Sequence, residues 1–180
     1  GVLAEINPIT VAKRIKNTPQ VPGRFEVYYE GNKKAIVDYS HTPESLEQAL
    51  LAIQSINKEH HPVYTVFGCG GDRDKTKRPI MGEIAARLST MAIVTSDNPR
   101  TENPKSIVKD VVAGIKSNNY KVIVDRGEAI KEAVLNSEDN AIILVAGKGH
   151  ETYIEVNGVR SHFSDKEKVL EYFNEWKKLN

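Results

Sequence analysis

Ile142-Ile143-Leu144-Val145-Ala146-Gly147-Lys148-Gly149-His150-Glu151 runs an unbroken apolar segment straight into two glycines, a lysine, a histidine and an acid. A strand that is apolar at every position, rather than at alternate ones, must be covered on both faces, as in the middle of a parallel sheet. The pattern recurs outward from it, in Val63-Tyr64-Thr65-Val66-Phe67, Ala92-Ile93-Val94 and Val122-Ile123-Val124. Helical periodicity lies between these runs. Leu46, Ala49, Leu50, Ile53 and Ile56 share one face, as do Ile107, Val108, Val111, Val112 and Ile115, and then Ile130, Ala133 and Val134. Strand alternating with helix predicts βαβ units: an α/β fold with a mainly parallel sheet and helices on both faces.

The ends of the elements carry their own signals. Thr42 before Pro43 and Asn103 before Pro104 read as helix caps, and Asp125 to Glu128 and Ser164 to Glu167 have capping-box spacing. Arg24 to Tyr28, the turn Gly31-Asn32 and Lys34 to Tyr39 predict a hairpin. Thr152 to Val156, Asn157-Gly158 and Val159 to Phe163 predict another. A last helix carries Val169, Leu170, Phe173 and Trp176. Residues 1–20 read as an arm, with a short helix over Thr10 to Lys16, ahead of a domain spanning 21–180.

Composition narrows the function classes. The chain has 180 residues, 39% hydrophobic and 27% charged, a mix that fits one globular domain. Lys plus Arg total 25 against 24 Asp plus Glu, so the net charge of +1 gives no support to nucleic-acid or membrane-surface binding. The single Cys69 permits no intrachain disulfide, which suits a reducing compartment. No apolar run approaches the ~20 residues of a membrane span, and the start lacks a signal-peptide pattern. The chain does not begin with Met, from which we expect processing, a tag or a cut from something longer.

The unusual residues gather after the strands. The loops are Asp38-Tyr39-Ser40-His41-Thr42-Pro43, Gly68-Cys69-Gly70-Gly71-Asp72-Arg73-Asp74-Lys75, Ser96-Asp97-Asn98-Pro99-Arg100, Asp125-Arg126-Gly127 and Ala146 to Glu151. Ligands of open α/β sheets bind at the carboxyl ends of the strands, and a parallel sheet sets all five loops along that edge. The loop at 68–75 reads as an anion cradle helped by Arg73, Lys75, Lys77 and Arg78, or as a tight turn before a solvated charge run. Arg100 after a rigid proline suits bidentate recognition of a carboxylate, or the loop is an Asx turn feeding the next helix. Gly147 and Gly149 let a ligand approach the backbone, with Glu151 for an ammonium, or the segment is a strand-to-hairpin bend. Gly147-Lys148 is followed by Gly149 rather than Ser or Thr, so it is no Walker A loop. Taken alone, His41 reads as a helix-start histidine, Cys69 as structural, and His60, His61, His162 and Trp176 as packing or surface residues.

Taken together, Val21-Pro22-Gly23-Arg24-Phe25-Glu26 and the loops at 38–43, 68–75, 97–100 and 146–151 resemble, in order, the C-terminal domain of the Mur ligases, in the MurE-type UDP-N-acetylmuramoyl-tripeptide synthetase group. The resemblance implies a Rossmann-like three-layer domain that binds the incoming amino acid, with the arm as the tail of a central ATPase domain. It implies an ATP-dependent ligase of peptidoglycan synthesis, serving cell wall biogenesis, cell shape and cell division in the cytoplasm. By the same resemblance, ATP is expected to phosphorylate the carboxylate of UDP-N-acetylmuramoyl-L-alanyl-D-glutamate, and the amine of meso-2,6-diaminopimelate to attack the acyl phosphate and release phosphate. The P-loop, Mg2+ ligands and carbamylated lysine belong to the central domain, so no metal ligand or catalytic residue is assigned to this chain, and it is expected to be inactive alone. Carried over by position, Arg24, Asp38 and His41 meet ATP. Arg73, Asp97, Asn98, Pro99, Arg100, Gly147 and Glu151 form the diaminopimelate pocket, and Lys75 is a further candidate. Arg100 favours diaminopimelate over L-lysine, because the extra distal carboxylate requires a cation. The alternatives are the same domain of an L-lysine-adding ligase, or a stand-alone binding module on this fold.

Overall fold

The computed structural model describes Thr10 and residues 19–179, so the helix expected over 10–16 lies, apart from Thr10, outside the described residues. Strands β1 (Glu26–Glu30) and β2 (Lys33–Asp38) form the first hairpin, with Gly31 at φ 55 in its turn. They are joined in one six-stranded sheet by β3 (Val63–Phe67), β4 (Met91–Val94), β5 (Tyr120–Val122) and β6 (Ile142–Ala146). The strand order is β1-β2-β6-β3-β4-β5, and every pairing except β1 with β2 is parallel. The apolar segment Ile142–Ala146 is therefore a central strand, and all five of its residues are buried.

Its side chains alternate between two cores. Ile142, Leu144 and Ala146 pack with α1 (Pro43–Ile56), α2 (Lys77–Leu88) and α3 (Pro104–Val112) on one face. Ile143 and Val145 pack with α4 (Arg126–Asn136) and α5 (Asp165–Leu179) on the other. The expected caps form: Thr42 Oγ1 accepts from Ser45 N–H, Asn103 from Lys105 N–H and Asp125 from Glu128 N–H. The second hairpin, β7 (Tyr153–Val156) and β8 (Val159–His162), stands as a separate two-stranded sheet.

Several expectations are corrected. Helix α2 was not expected: its first turn is Lys77-Arg78-Pro79 and its middle holds Gly82, so no apolar stripe marks it. Gly82 is there because α3 crosses so closely that a Cβ would stand 2.2 Å from the Val111 carbonyl oxygen. β5 lies at 120–122 instead of 122–124. It is an edge strand, and Val122 is exposed, although backbone bonds from Ile123 N–H to Val94 and from Ser96 N–H to Val124 carry the pairing onward. Ile56 and Leu170 also face outward, and β1 starts at Glu26 because Phe25 takes φ 49.

Arg126 opens α4 and is not a loop residue offered to solvent. Its side chain and that of Asp165, the first residue of α5, are both 0% exposed. The guanidinium donates to both Asp165 carboxylate oxygens at 2.7 and 2.8 Å and to the Ala146 carbonyl at 2.9 Å, so it ties two helices to the end of β6. Burial opposes the Arg126 charge, while Asp165, Asp97 and Glu151 raise its pKa. Asp165→Ala leaves that charge unpaired and should cost about 3–5 kcal/mol in urea unfolding, whereas the pair Arg126→Met with Asp165→Leu should restore most of the loss. Equal unfolding free energies for Asp165→Ala and the parent would show that the pair does not hold the helices.

Candidate functional site

The five parallel strands end on one edge, and the loops after β2, β3, β4 and β6 line an open cleft of about 580 Å³. The end of β2 contributes Tyr39, His41 and Thr42, and the end of β3 contributes Gly68, Gly70, Arg73 and Asp74, with Lys77 from α2. Asp97, Asn98 and Arg100 follow β4, and Gly147 and Glu151 follow β6. The second hairpin adds Tyr153, Glu155 and Arg160.

Local backbone chemistry explains this arrangement. Gly71 N–H donates to the Asn98 carbonyl at 2.9 Å, so the loop after β4 lies directly on the loop after β3. A Cβ at position 71 would meet the Pro99 oxygen at 1.9 Å, and one at position 70 would meet Arg100 Nη1 at 2.9 Å. These glycines make room for a neighbouring loop and its guanidinium, which is a different use from cradling an anion. Arg100 takes φ 51, and its Nη1 donates to the Gly71 carbonyl at 2.8 Å. Its backbone holds the second hairpin, donating to Glu155 O and accepting from Asn157 N–H. Asp72 accepts from Thr101 N–H and Oγ1, and those bonds hold its carboxyl below the usual carboxylate range.

The basic run divides into separate roles. Arg78 is fully buried and donates to both Glu102 oxygens and to Asp110, so the expectation of a solvated charge, or of help for an anion, fails for it. Lys75 pairs with Glu102 at 3.2 Å and does not line the cleft. Lys77 does, and its Nζ donates to the His41 carbonyl at 2.8 Å. Pro99 is buried behind the cleft, and its carbonyl accepts from Glu102 N–H.

Near the end of β2, the Arg24 guanidinium stacks 4.5 Å from the Tyr39 ring centre, and Tyr39 meets His41 edge-on at 4.7 Å. Asp38 accepts from Phe25 N–H at 2.7 Å and from Ser40 N–H at 2.9 Å, so much of its capacity is spent on the local turn. Arg24, Asp38 and His41 thus gather at one strand end, and His41 lies on the cleft itself.

Sequence reasoning missed Lys148, which has no exposed surface. Its Nζ donates to Asn98 Oδ1 at 2.9 Å and to the Tyr153 carbonyl at 2.7 Å. Asp97 and Glu151 stand 3.4 and 3.5 Å away. The sequence shows this lysine only as part of a failed phosphate loop; nothing local marks it as buried. Tyr153 and Glu155 were findable, because alternate positions of a strand share a face with the end of the preceding loop. Cys69 is buried, donates to Met81 Sδ at 3.7 Å, and burial pushes its thiol up to about 11, so it is poorly suited to act as a nucleophile. Among the described residues, no group of three or more His, Cys, Asp or Glu side chains could hold a metal ion, and no helix is long and apolar enough to cross a membrane.

The family model for the Mur ligase, glutamate ligase domain, matches residues 23–149. The UDP-N-acetylmuramoyl-L-alanyl-D-glutamate–2,6-diaminopimelate ligase of Fusobacterium nucleatum is 50% identical over 159 residues, covering 87% of this chain and 33% of the relative. Ligase 1 of that name from Clostridium acetobutylicum is 49% identical over 158 residues, covering 86% and 32%. A solved structure of a ligase with that name superposes with a TM-score of 0.81 at 36% identity, over 97% of this chain and 36% of that one. The chain spans about a third of the length of the curated relatives it matches.

Glu102 joins the two loops through Arg78, Asp72 N–H and Lys75, and these partners, Arg78 first, hold its carboxyl down to about 2 from an ordinary 4.5. A carboxyl lowered on folding stabilises the fold above its unfolded value, and that contribution is lost as pH falls through the folded value. Glu102→Gln should therefore lower the thermal midpoint at neutral pH, and the gap to the parent should close between pH 4.5 and 2. A gap that stays constant across that window would remove the Glu102 charge as its cause.

Proposed function

The chain belongs to the Mur ligase family through its glutamate ligase domain, and from that premise we propose that residues 21–180 form the C-terminal, amino-acid-binding domain of a UDP-N-acetylmuramoyl-L-alanyl-D-glutamate–2,6-diaminopimelate ligase. In this reading residues 1–20 are the tail of a central ATPase domain and the ligase works in the cytoplasm. The observation that carries it is the convergence of Arg73, Asp97, Asn98, Arg100, Gly147 and Glu151 on one cleft. These residues come from three separate strand ends.

The cleft suits a ligand with charges of both signs. Asp97 and Glu151 offer carboxylates to an ammonium, while Arg73 and Arg100 offer guanidiniums to carboxylates. Arg100 has one nitrogen spent on the Gly71 carbonyl, which fixes the guanidinium and leaves its other donors to read a distal carboxylate. ATP is a substrate on the β2 side. Arg24 suits a phosphate, Asp38 a ribose hydroxyl and His41 the nucleotide, with Lys77 bridging toward the amino-acid side. In this reading the main grip on the triphosphate and the Mg2+ ligands belong to the rest of the ligase. The contribution of this domain to amide formation is positioning: it presents the amine to an acyl phosphate formed elsewhere.

In the full-length ligase carrying this chain, Arg100→Ala should lower kcat/KM for meso-diaminopimelate by about 100-fold or more with the KM for ATP unchanged. Unchanged diaminopimelate kinetics would overturn the pocket assignment, and a parent enzyme that adds L-lysine in preference would overturn the substrate. Residues 1–180 alone should show no ATP-dependent ligation; turnover by this chain would refute its dependence on other domains.

A further inference from the structure

We infer that Lys148 is a positioning residue for amino-acid recognition: its buried ammonium fixes the Asn98 amide and two acids of the cleft, Asp97 and Glu151, in the orientation the ligand meets. The inference rests on the proposed amino-acid site and concerns a residue behind it.

The geometry of Asn98 leaves one orientation. Its Oδ1 accepts from Lys148 Nζ at 2.9 Å and from Glu155 N–H at 3.0 Å. With the oxygen held by two donors, Nδ2 is turned to Glu151 Oε2 at 3.0 Å. A flipped amide would set its NH2 against an ammonium and a backbone N–H, and its oxygen against a carboxylate. Lys148 thus decides which atoms Asn98 presents, and through Asn98 it anchors Glu151.

Charge gives the second argument. Asp97 and Glu151 both line the cleft. Lys148 stands between them, 3.4 Å from one and 3.5 Å from the other, so the three groups carry one net negative charge. That balance matches one ligand ammonium. Without Lys148 the two carboxylates would lose the ammonium that stands within 3.5 Å of each.

Stability alone does not account for the lysine. A buried ion pays for its dehydration, and apolar side chains that replace such an ion together with its partners commonly serve the fold as well or better. What an apolar side chain cannot do is hold Asn98 Oδ1, Asp97, Glu151 and the Tyr153 carbonyl at once. These four groups come from both sides of the cleft.

The test uses the full-length ligase carrying this chain. Lys148→Met should raise the KM for meso-diaminopimelate by about 30-fold, the effect of losing one charged hydrogen bond. The KM for ATP and the kcat at saturating diaminopimelate should each stay within about 3-fold, while the thermal midpoint falls because Asp97 and Glu151 lose their buried partner. In an Asn98→Ala background the same substitution should add less than about 3-fold, because the two residues act as one unit. An unchanged KM for diaminopimelate, an equal loss spread over kcat and the KM for ATP, or full additivity with Asn98→Ala would each overturn the inference. If Lys148→Met does not fold, Lys148→Gln, which keeps a donor without the charge, takes its place. If neither folds, the lysine belongs to the fold and the inference falls. A parent enzyme that does not use diaminopimelate would refute the proposed function instead, a result distinct from these.

Discussion

A polar sheet edge that is also a binding wall must satisfy its inner groups without water, and here buried cations do it. The side chains of Arg78, Arg126 and Lys148 have no exposed surface, and all three lie behind the carboxyl edge of the sheet. Each faces carboxylates: Glu102 and Asp110 for Arg78, Asp165 for Arg126, Asp97 and Glu151 for Lys148. An unpaired charge in such a place is costly, so each pair constrains the other segment it joins. Arg126 locks α4 and α5 to the end of β6, Arg78 locks α2 to the loop that follows β4, and Lys148 locks that loop to the end of β6 and to the second hairpin. Cleft residues are thereby held from behind by groups that do not line the cleft, and side chains fixed in advance have less order to lose when a ligand binds.

Lys33 shows what a buried lysine looks like when its work is structural. It sits at the start of β2, at the other edge of the sheet, 1% exposed. Its Nζ donates to the carbonyls of Val134 and Ser137 and to Ser137 Oγ, at the end of α4. A cation there satisfies carbonyls that the helix leaves without partners. Burial lowers its pKa, with only Asp139 opposing the shift. Its hydrogen bonds go to backbone and a serine, whereas Lys148 is surrounded by the side chains of the cleft. That difference in partners, more than burial itself, separates the two residues.

The same contrast sets how much was legible in the sequence. β3 and β6 were readable because strands covered on both faces have no polar position to blur the pattern, and α1, α3 and α4 were readable because Thr42, Asn103 and Asp125 cap them. Helix α2 was hidden: it packs through Gly82 and through the hydrogen bonds of Arg78, so its hydrophobic signal is weak. The strand-end loops were legible as a cluster, because parallel topology alone brings them to one edge. Their internal division was not. Lys75 and Pro99 sit outside the cleft while Lys77, Tyr153, Glu155 and Arg160 line it, and those placements depend on loop-on-loop contacts hundreds of atoms apart along the chain. Burial of a lysine is likewise a property of the assembled fold, since nothing in Gly147-Lys148-Gly149 distinguishes an exposed ammonium from an enclosed one.

The near-zero net charge of the chain acquires a specific meaning at this edge. Arg73, Lys77, Arg100 and Arg160 face Asp74, Asp97, Glu151 and Glu155 around one cleft. Such a wall creates little net field at a distance, so it does not gather ligands by long-range attraction. Close to the surface, however, each charge has a fixed place: Arg100 is braced by Gly71, Glu151 by Asn98, and Arg160 by Glu155 and the ring of Tyr153. Discrimination then depends on the distances between charges in the ligand. A molecule that lacks one of its charges leaves a buried or braced partner unpaired, and that penalty is larger than the gain from any single contact. A wall balanced in sum and rigid in detail is therefore suited to a small ligand with several charges of both signs, and poorly suited to a polyanion.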